Sequence, residues 1–335
     1  MQYYPVRNYR SKLSLYETQK AIKTIKDYFQ TSFATALNLR RVTAPLFVDP
    51  ASGLNDDLNG VERPVDFDVM DIQNVHGEVV QSLAKWKRYA LDCYQFKLHK
   101  GLYTDMNAIR RDEELDNIHS LYVDQWDWEK VISQKDRTIA YLERTVKEIY
   151  HCLCSLEMFM SYHYDYIHPL LPSHITFVDS ETLLKMYPDR SPKEREYLIA
   201  KEKKAVFIER IGGKLSDGKP HDGRAPDYDD WNLNGDILVY YPLLDIALEL
   251  SSMGIRVDRN SLLEQLAKSG TQQRAALPFQ KAVLEGKLPL TIGGGIGQSR
   301  LCMFILRKAH IGEVQCSLWP EKMKEDCEKD RIFLL

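Results

Sequence analysis

Ile22, Ile25, Phe29, Phe33 and Leu37 recur at spacings of three and four, the stripe of one long amphipathic helix running to about Leu39. Ahead of it, Ser14-Leu15-Tyr16-Glu17 has the form of a capping box, which satisfies N–H groups left open at a helix start. Residues 41–47 read as a strand, and Pro45, lacking an N–H for a ladder, places it at an edge or an interface. Val65, Phe67 and Val69 alternate with Asp66 and Asp68, as a half-buried strand should. Ser82 stands where it would cap a helix through Trp86 and Leu91. Strands are expected over 102–110 and 121–128, joined by the acidic segment Arg111-Asp112-Glu113-Glu114. A second long helix over roughly 138–160 carries Ile139, Leu142, Val146, Ile149 and Leu153 on one face.

Ser191, Pro192 and Glu194 combine a cap, a first-turn proline and a capping-box acid. A strand over 206–211 follows, then a loop rich in Gly, Asp and Pro over 212–234. Strands over 236–241 and 248–257 come next, with two polar helices after them. The glycine run Gly293-Gly294-Gly295-Ile296-Gly297 precedes a final apolar helix that Arg300 opens with Leu301, Phe304 and Ile305. No repeat, low-complexity tract or linker divides the chain, which reads as a single domain over 1–335. Strands outnumber the helices between them in the middle. That favours an α+β fold, a mostly antiparallel sheet flanked by helices, over a doubly wound parallel one.

A formal net charge of -3 leaves no basic surplus for tracking a phosphate backbone, so no nucleic-acid partner is expected. No stretch reaches the roughly 18 apolar residues of a membrane span, and the start lacks the pattern of a signal peptide. Six scattered cysteines, with Cys152 and Cys154 in a spacing that suits neither zinc nor a redox dithiol, fit reduced thiols in the cytoplasm. Two glycine motifs fail. Gly213 to Lys219 imitates a P-loop, but Pro220 has neither hydroxyl nor N–H. Gly293 to Gly297 imitates a dinucleotide fingerprint, but Gln298 and Arg300 stand where glycine is needed and no βαβ unit can follow.

Four segments carry chemistry. Period-two alternation puts Gln125 and Asp127 on one strand face with Val123, and Asp124 on the other with Tyr122, Trp126 and Trp128. Two polar groups beside apolar ones form either a ligand floor or a solvent-facing patch. Arg110, at a strand end before an acidic loop, offers a planar fork suited to phosphate, unless the run is simply solvated. Asp236 and Glu249 border apolar strands, as magnesium or a structural ion pair would require. The glycine run lets backbone approach a ligand, and Arg300 after it can stack on an adenine, or open a helix that holds nothing.

In this order the segments resemble the catalytic domain of class II aminoacyl-tRNA synthetases, most closely the aspartyl and asparaginyl branch. Thr43-Ala44-Pro45 resembles motif 1, which builds the dimer interface. Arg110-Arg111-Asp112-Glu113 resembles motif 2, whose first arginine holds the α-phosphate, and Gly293 to Arg300 resembles motif 3, whose arginine stacks on adenine. Ser82-Leu83-Ala84-Lys85-Trp86-Lys87-Arg88, Tyr122-Val123-Asp124-Gln125-Trp126-Asp127-Trp128 and Arg224-Ala225-Pro226-Asp227-Tyr228-Asp229-Asp230-Trp231 narrow the likeness to the ammonia-dependent asparagine synthetases. So do Gly212 to Gly218 and Glu249 to Arg256, and the likeness runs from about residue 16 to residue 319.

The resemblance implies an ATP-consuming ligase. The β-carboxylate of aspartate attacks the α-phosphate, giving β-aspartyl-AMP and pyrophosphate, and ammonia then releases asparagine and AMP. It implies Arg110, Asp229, Glu249 and Arg300 around ATP, with Ser82, Lys87, Gln125, Asp127, Ser252 and Arg256 around aspartate. Mg2+ would sit on Asp236 and Glu249, and Asp56 or Asp229 would take the ammonium proton. Asp56 corresponds to an acid within a Gln-Asp-Asn stretch of the family, where this chain reads Asn55-Asp56-Asp57. Gln2 stands where amidotransferases with an N-terminal nucleophile carry cysteine, so ammonia is expected to arrive free, with no glutaminase domain. One helix precedes the motif-1-like strand, so no anticodon-binding barrel is expected either. A homodimer paired through the Pro45 strand is expected. The alternatives are a truncated aspartyl- or asparaginyl-tRNA synthetase-like ligase, or a catalytically silent relative. The silent relative would have lost Arg110, Asp236, Glu249 and Arg300, all of which are present.

Overall fold

The structure, a computed structural model, describes every residue except 1, 2, 7, 56, 57, 59–61, 73 and 74. Eight strands make the main sheet. In spatial order they are β1 (Leu39–Arg41), β5 (Gly101–Ile109), β6 (Tyr122–Val131), β11 (Thr291–Gly297), β10 (Ile246–Arg256), β9 (Asp229–Tyr241), β8 (Ala205–Glu209) and β7 (Thr176–Asp179). The outermost pairs, β1 with β5 and β7 with β8, are parallel; every other pair is antiparallel. A three-stranded sheet of β2 (Phe47–Val48), β4 (His76–Val79) and β3 (Asp66–Asp68) lies apart from it in the ladder.

Local signals set the two long helices. The helix Leu15–Leu37 starts at a formed capping box of Ser14 and Glu17, and Thr138 caps the helix Ile139–His163. Their apolar stripes close over one face of the sheet, where Phe29 and Phe33 pack on Trp126 and Trp128 of β6. The alternation of β6 therefore sends its tryptophans into this core, and Gln125, Asp127 and Glu129 to the opposite face. The helix Ala84–Cys93 packs on that opposite face, against β6, β5 and β11. Ser82 does not sit at its N-cap, which is Leu83, but its Oγ accepts the Ala84 N–H at 3.1 Å.

Three expectations change. The strand expected over 41–47 is two short ones, β1 and β2, because the chain leaves the main sheet for the small one and Pro45 cannot donate to either ladder. β9 begins at Asp229, inside the expected loop. Its polar opening is paired sideways: Asp230 with Arg137 at 2.8 Å, and the Asn234 side chain with both backbone groups of Ile211 at 2.8 and 2.9 Å. The glycine run, given no element of its own ahead of the final apolar helix, is β11, a central strand between β6 and β10. Glu321–Lys329 adds a final helix that the sequence reading did not include. Among the described residues, no helix is long and apolar enough to cross a membrane.

Candidate active site

β11 sets the site by what it lacks. Its register places Gly295 opposite Asp127 of β6 and Ser252 of β10, and Ser252 opposite Asp236 of β9. Asp127, Gly295, Ser252 and Asp236 thus form one row across four strands. A Cβ on Gly293 would run into the Glu129 carboxylate and come within 2.6 Å of the Trp128 carbonyl oxygen. One on Gly295 would run into the Gln125 side-chain oxygen. The two glycines are the space in which the polar face of β6 lies.

Above this row opens a cavity of about 390 Å³. Five residues singled out from the sequence line it together: Arg110, Gln125, Glu249, Ser252 and Arg300. Arg110 follows the end of β5. Its Nε is buried without a hydrogen-bond partner among the described residues, and Glu113 lies 3.9 Å from its guanidinium, so the fork is poorly engaged. Arg300, in the first turn of the helix Gln298–Leu306, donates to the carbonyls of Ile118 at 3.3 Å and Glu249 at 3.2 Å. Burial works to raise the Glu249 carboxyl, but Arg300, Arg224, Lys193 and His119 outweigh it and hold the group below its ordinary value.

The other sequence-derived candidates lie off the cavity wall. Lys87, expected among the residues around aspartate, is ion-paired with Asp127, both almost wholly buried, and donates to the Gly294 carbonyl at 3.1 Å. Arg256 is likewise engaged, with Glu129 at 2.7 Å and with Asp229. Thr291 donates to Glu129 at 2.6 Å. The four expected contacts Lys87, Asp127, Asp229 and Arg256 are therefore one buried cluster, completed by Glu129. Their opposite charges, cut off from water, find each other. Burial raises the Asp229 carboxyl against the pull of Arg256. Burial favours neutral Glu129 too, but Arg256 and Lys87 prevail and hold it below its ordinary value. Asp236 is paired through one oxygen with Arg224; its Oδ1 is buried without a partner among the described residues. Burial pushes its carboxyl up to about 6 despite Arg224. Ser82 is held at the helix start described above and does not line the cavity. Asp56 lies outside the described residues.

The sequence reading passed over Glu129, Arg224, Lys193 and His119. Glu129 had a signal: carrying the alternation of Gln125 and Asp127 one step further reaches it. Arg224 stood inside a recognised string but without a role. Lys193 stands between Pro192 and Glu194 of an expected helix start, where a lysine carries no signal of its own, and nothing local marks His119.

A family model described as aspartate–ammonia ligase matches residues 16–331 of the chain. An aspartate–ammonia ligase of Clostridium perfringens (strain SM101 / Type A) is 60% identical over 329 residues, covering 98% of each chain. One of Lactobacillus johnsonii is 56% identical over 330 residues, again covering 98% of each. The chain belongs to the aspartate–ammonia ligase family. Among solved structures it is similar to an asparaginyl-tRNA synthetase of Entamoeba histolytica in complex with asparaginyl-adenylate. The TM-score there is 0.66 at 13% identity, over 90% of this chain and 66% of the synthetase chain. The corresponding enzyme of Pyrococcus horikoshii complexed with asparaginyl-adenylate gives a TM-score of 0.61 at 14% identity, over 91% and 70%. At such identities the likeness speaks for the fold, and the class II α+β architecture expected from the sequence is the one found.

Proposed function

We propose that the cavity makes L-asparagine from L-aspartate and ammonia at the expense of ATP, through β-aspartyl-AMP, releasing AMP and pyrophosphate. Family membership supplies the substrates. The observation that carries the mechanism is the pairing, in one cavity, of Arg110, loosely held by Glu113 at 3.9 Å, and Arg300, bound to backbone carbonyls, with the polar side chains of Gln125 and Ser252. Both solved relatives named above hold an acyl-adenylate, the same chemical class as the proposed intermediate.

Arg110 would take the α-phosphate and spread the charge that grows during in-line displacement. Arg300 would lie over the adenine. Gln125 and Ser252 line the floor where aspartate would rest, with Asp127 next along the same face to meet its ammonium. Lys87 and Arg256 lie buried behind that floor, each paired with an acid, and would act on the α-carboxylate through their charge rather than by contact. Asp56 and Asp229 are the two candidates to accept the proton that ammonium releases.

The donor set fits Mg2+. Ionised Glu249 and the unpartnered Oδ1 of Asp236 supply two carboxylates, and magnesium takes the rest of its octahedron from phosphate and water. Among the described residues no group of three or more metal-binding side chains gathers, so phosphate and water would have to complete the shell. When bound, the ion would offset phosphate charge.

The test is purified protein with aspartate, ATP, magnesium and ammonium, followed for asparagine and AMP. Glutamine in place of ammonium should give almost nothing; equal activity with ammonia-free glutamine would overturn the free-ammonia reading. Arg300→Ala should mainly raise the ATP KM, since a cation–π contact is worth roughly 0.5–2 kcal/mol. Arg110→Ala should cut kcat more deeply, because the lost charge acts on the transition state. Equal effects confined to the ATP KM in both variants would contradict this division.

The protein is further proposed to be a single catalytic domain that works in the cytoplasm as a homodimer, without a nucleic-acid partner. Light scattering should give twice the 38.9 kDa chain mass across a wide concentration range. An active monomer would refute the dimer.

A further inference from the structure

We propose that Lys193 is a ligand for the pyrophosphate part of the nucleotide, held at the cavity rim by a buried Glu196–His221 pair. The inference rests on the AMP-forming reading above and adds a residue to it.

Lys193 lies in the first turn of the helix Pro192–Lys203, which begins at the capping box of Ser191 and Glu194. Its Nζ is 3.2 and 3.0 Å from the two Glu196 oxygens and 3.7 Å from Asp222. An ordinary surface pair three residues apart has both partners in water and contributes little. Here the lysine side chain is 71% exposed, but the Glu196 side chain is only 8% exposed. Behind Glu196 stands His221 of the loop between β8 and β9, 2% exposed, with Nε2 at 3.1 Å from Glu196 Oε1. His221 Nδ1 is buried without a partner among the described residues. Burying a carboxylate and an imbalanced imidazole is costly, and the arrangement has a clear result: an exposed ammonium fixed at one spot.

That spot is on the cavity. Lys193 lines it next to Asp222, Gly223 and Arg224, and it is one of the cations that keep Glu249 ionised. Arg110 and Arg300 are assigned to the α-phosphate and adenine, and Arg224 is paired with Asp236. The β- and γ-phosphates still need a cation on the solvent side, where pyrophosphate leaves. A lysine suits that place better than an arginine, because a compact rotatable ammonium can follow a departing anion and let it go. Glu196 engages part of its donor capacity and leaves the remainder for phosphate oxygen.

The probes are magnesium pyrophosphate and AMP, titrated separately by calorimetry into wild type, Lys193→Met and Lys193→Arg. Lys193→Met should weaken pyrophosphate about tenfold, the equivalent of about 1.4 kcal/mol, and leave AMP within about twofold. Lys193→Arg should keep most of the pyrophosphate affinity, since the charge remains. Lys193→Met leaves the buried Glu196 with His221 alone and should melt below wild type, whereas Lys193→Arg should melt close to it, so the titrations are made below the melting range of each variant. Three results would each overturn the proposal: unchanged pyrophosphate binding in Lys193→Met, equal weakening of AMP, or no pyrophosphate binding by wild type. None depends on turnover. A wild type that binds pyrophosphate but forms no asparagine would sink the AMP-forming reading and leave the Lys193 assignment standing.

Discussion

Asp127→Asn is expected to weaken aspartate binding at least a hundredfold while leaving ATP binding close to wild type. Asn keeps the size of the side chain and removes its charge. The carboxylate serves two cations in this account: the ammonium of aspartate, and Lys87 in the ligand-free protein. Side-chain exposures of 1% for Lys87 and 5% for Asp127 mean that water cannot replace the lost partner. Burial already disfavours the Lys87 charge, and Asp127 is its main counterweight. After the substitution Lys87 keeps the Gly294 carbonyl and Glu129 at 4.0 Å. Breaking a buried pair typically costs about 3–5 kcal/mol, so the folded variant should also lose stability. A surface aspartate would change either quantity by no more than about 0.5 kcal/mol. Calorimetric titration of aspartate into the folded variant, with ATP titrated separately, decides the matter. Wild-type aspartate affinity would leave Asp127 with a structural role only and remove the proposed orientation of the substrate.

Gly293→Ala should cost about 3–5 kcal/mol of stability, the scale of breaking a buried ion cluster. The new methyl group would lie where the Glu129 carboxylate now receives Arg256 and Thr291, with the Trp128 carbonyl closing off retreat at 2.6 Å. Gly295→Ala meets instead the free end of Gln125, a side chain that can move aside. That variant should fold and lose aspartate affinity, because Gln125 is pushed into the space proposed for the amino acid. Gly213→Ala is the control: its Cβ would meet nothing within 4 Å. Urea unfolding of the three variants checks the order. If Gly293→Ala unfolds with Gly213→Ala, the glycine run is not what makes room for the cluster.

Much of this protein was present in local pattern. The long helices follow from stripes at three and four and from caps within three residues of each start, interactions that need no distant partner. The two faces of β6 follow from a period of two, which separated Gln125 and Asp127 from the tryptophans before any fold was known. Arg110, Glu249 and Arg300 had residue types suited to phosphate, metal and adenine, their order along the chain gave the resemblance that assigned those roles, and the structure brings them to one cavity. The glycine run was opaque as a strand, since residues without side chains show no alternation. Its place in the sheet comes from register with β6 and β10. The opening of β9 was opaque for the opposite reason: its polar side chains imitate a loop until Arg137, Arg256 and Ile211 are there to receive them. The buried cluster was least legible of all. Lys87 and Asp127 are 40 positions apart, and Arg256 and Glu129 are 127 apart. A charge in sequence has only its type; whether it meets water, a ligand or an opposite charge depends on which strands lie side by side. That was settled by the tertiary structure, because desolvation makes a buried charge find a partner wherever along the chain that partner comes from.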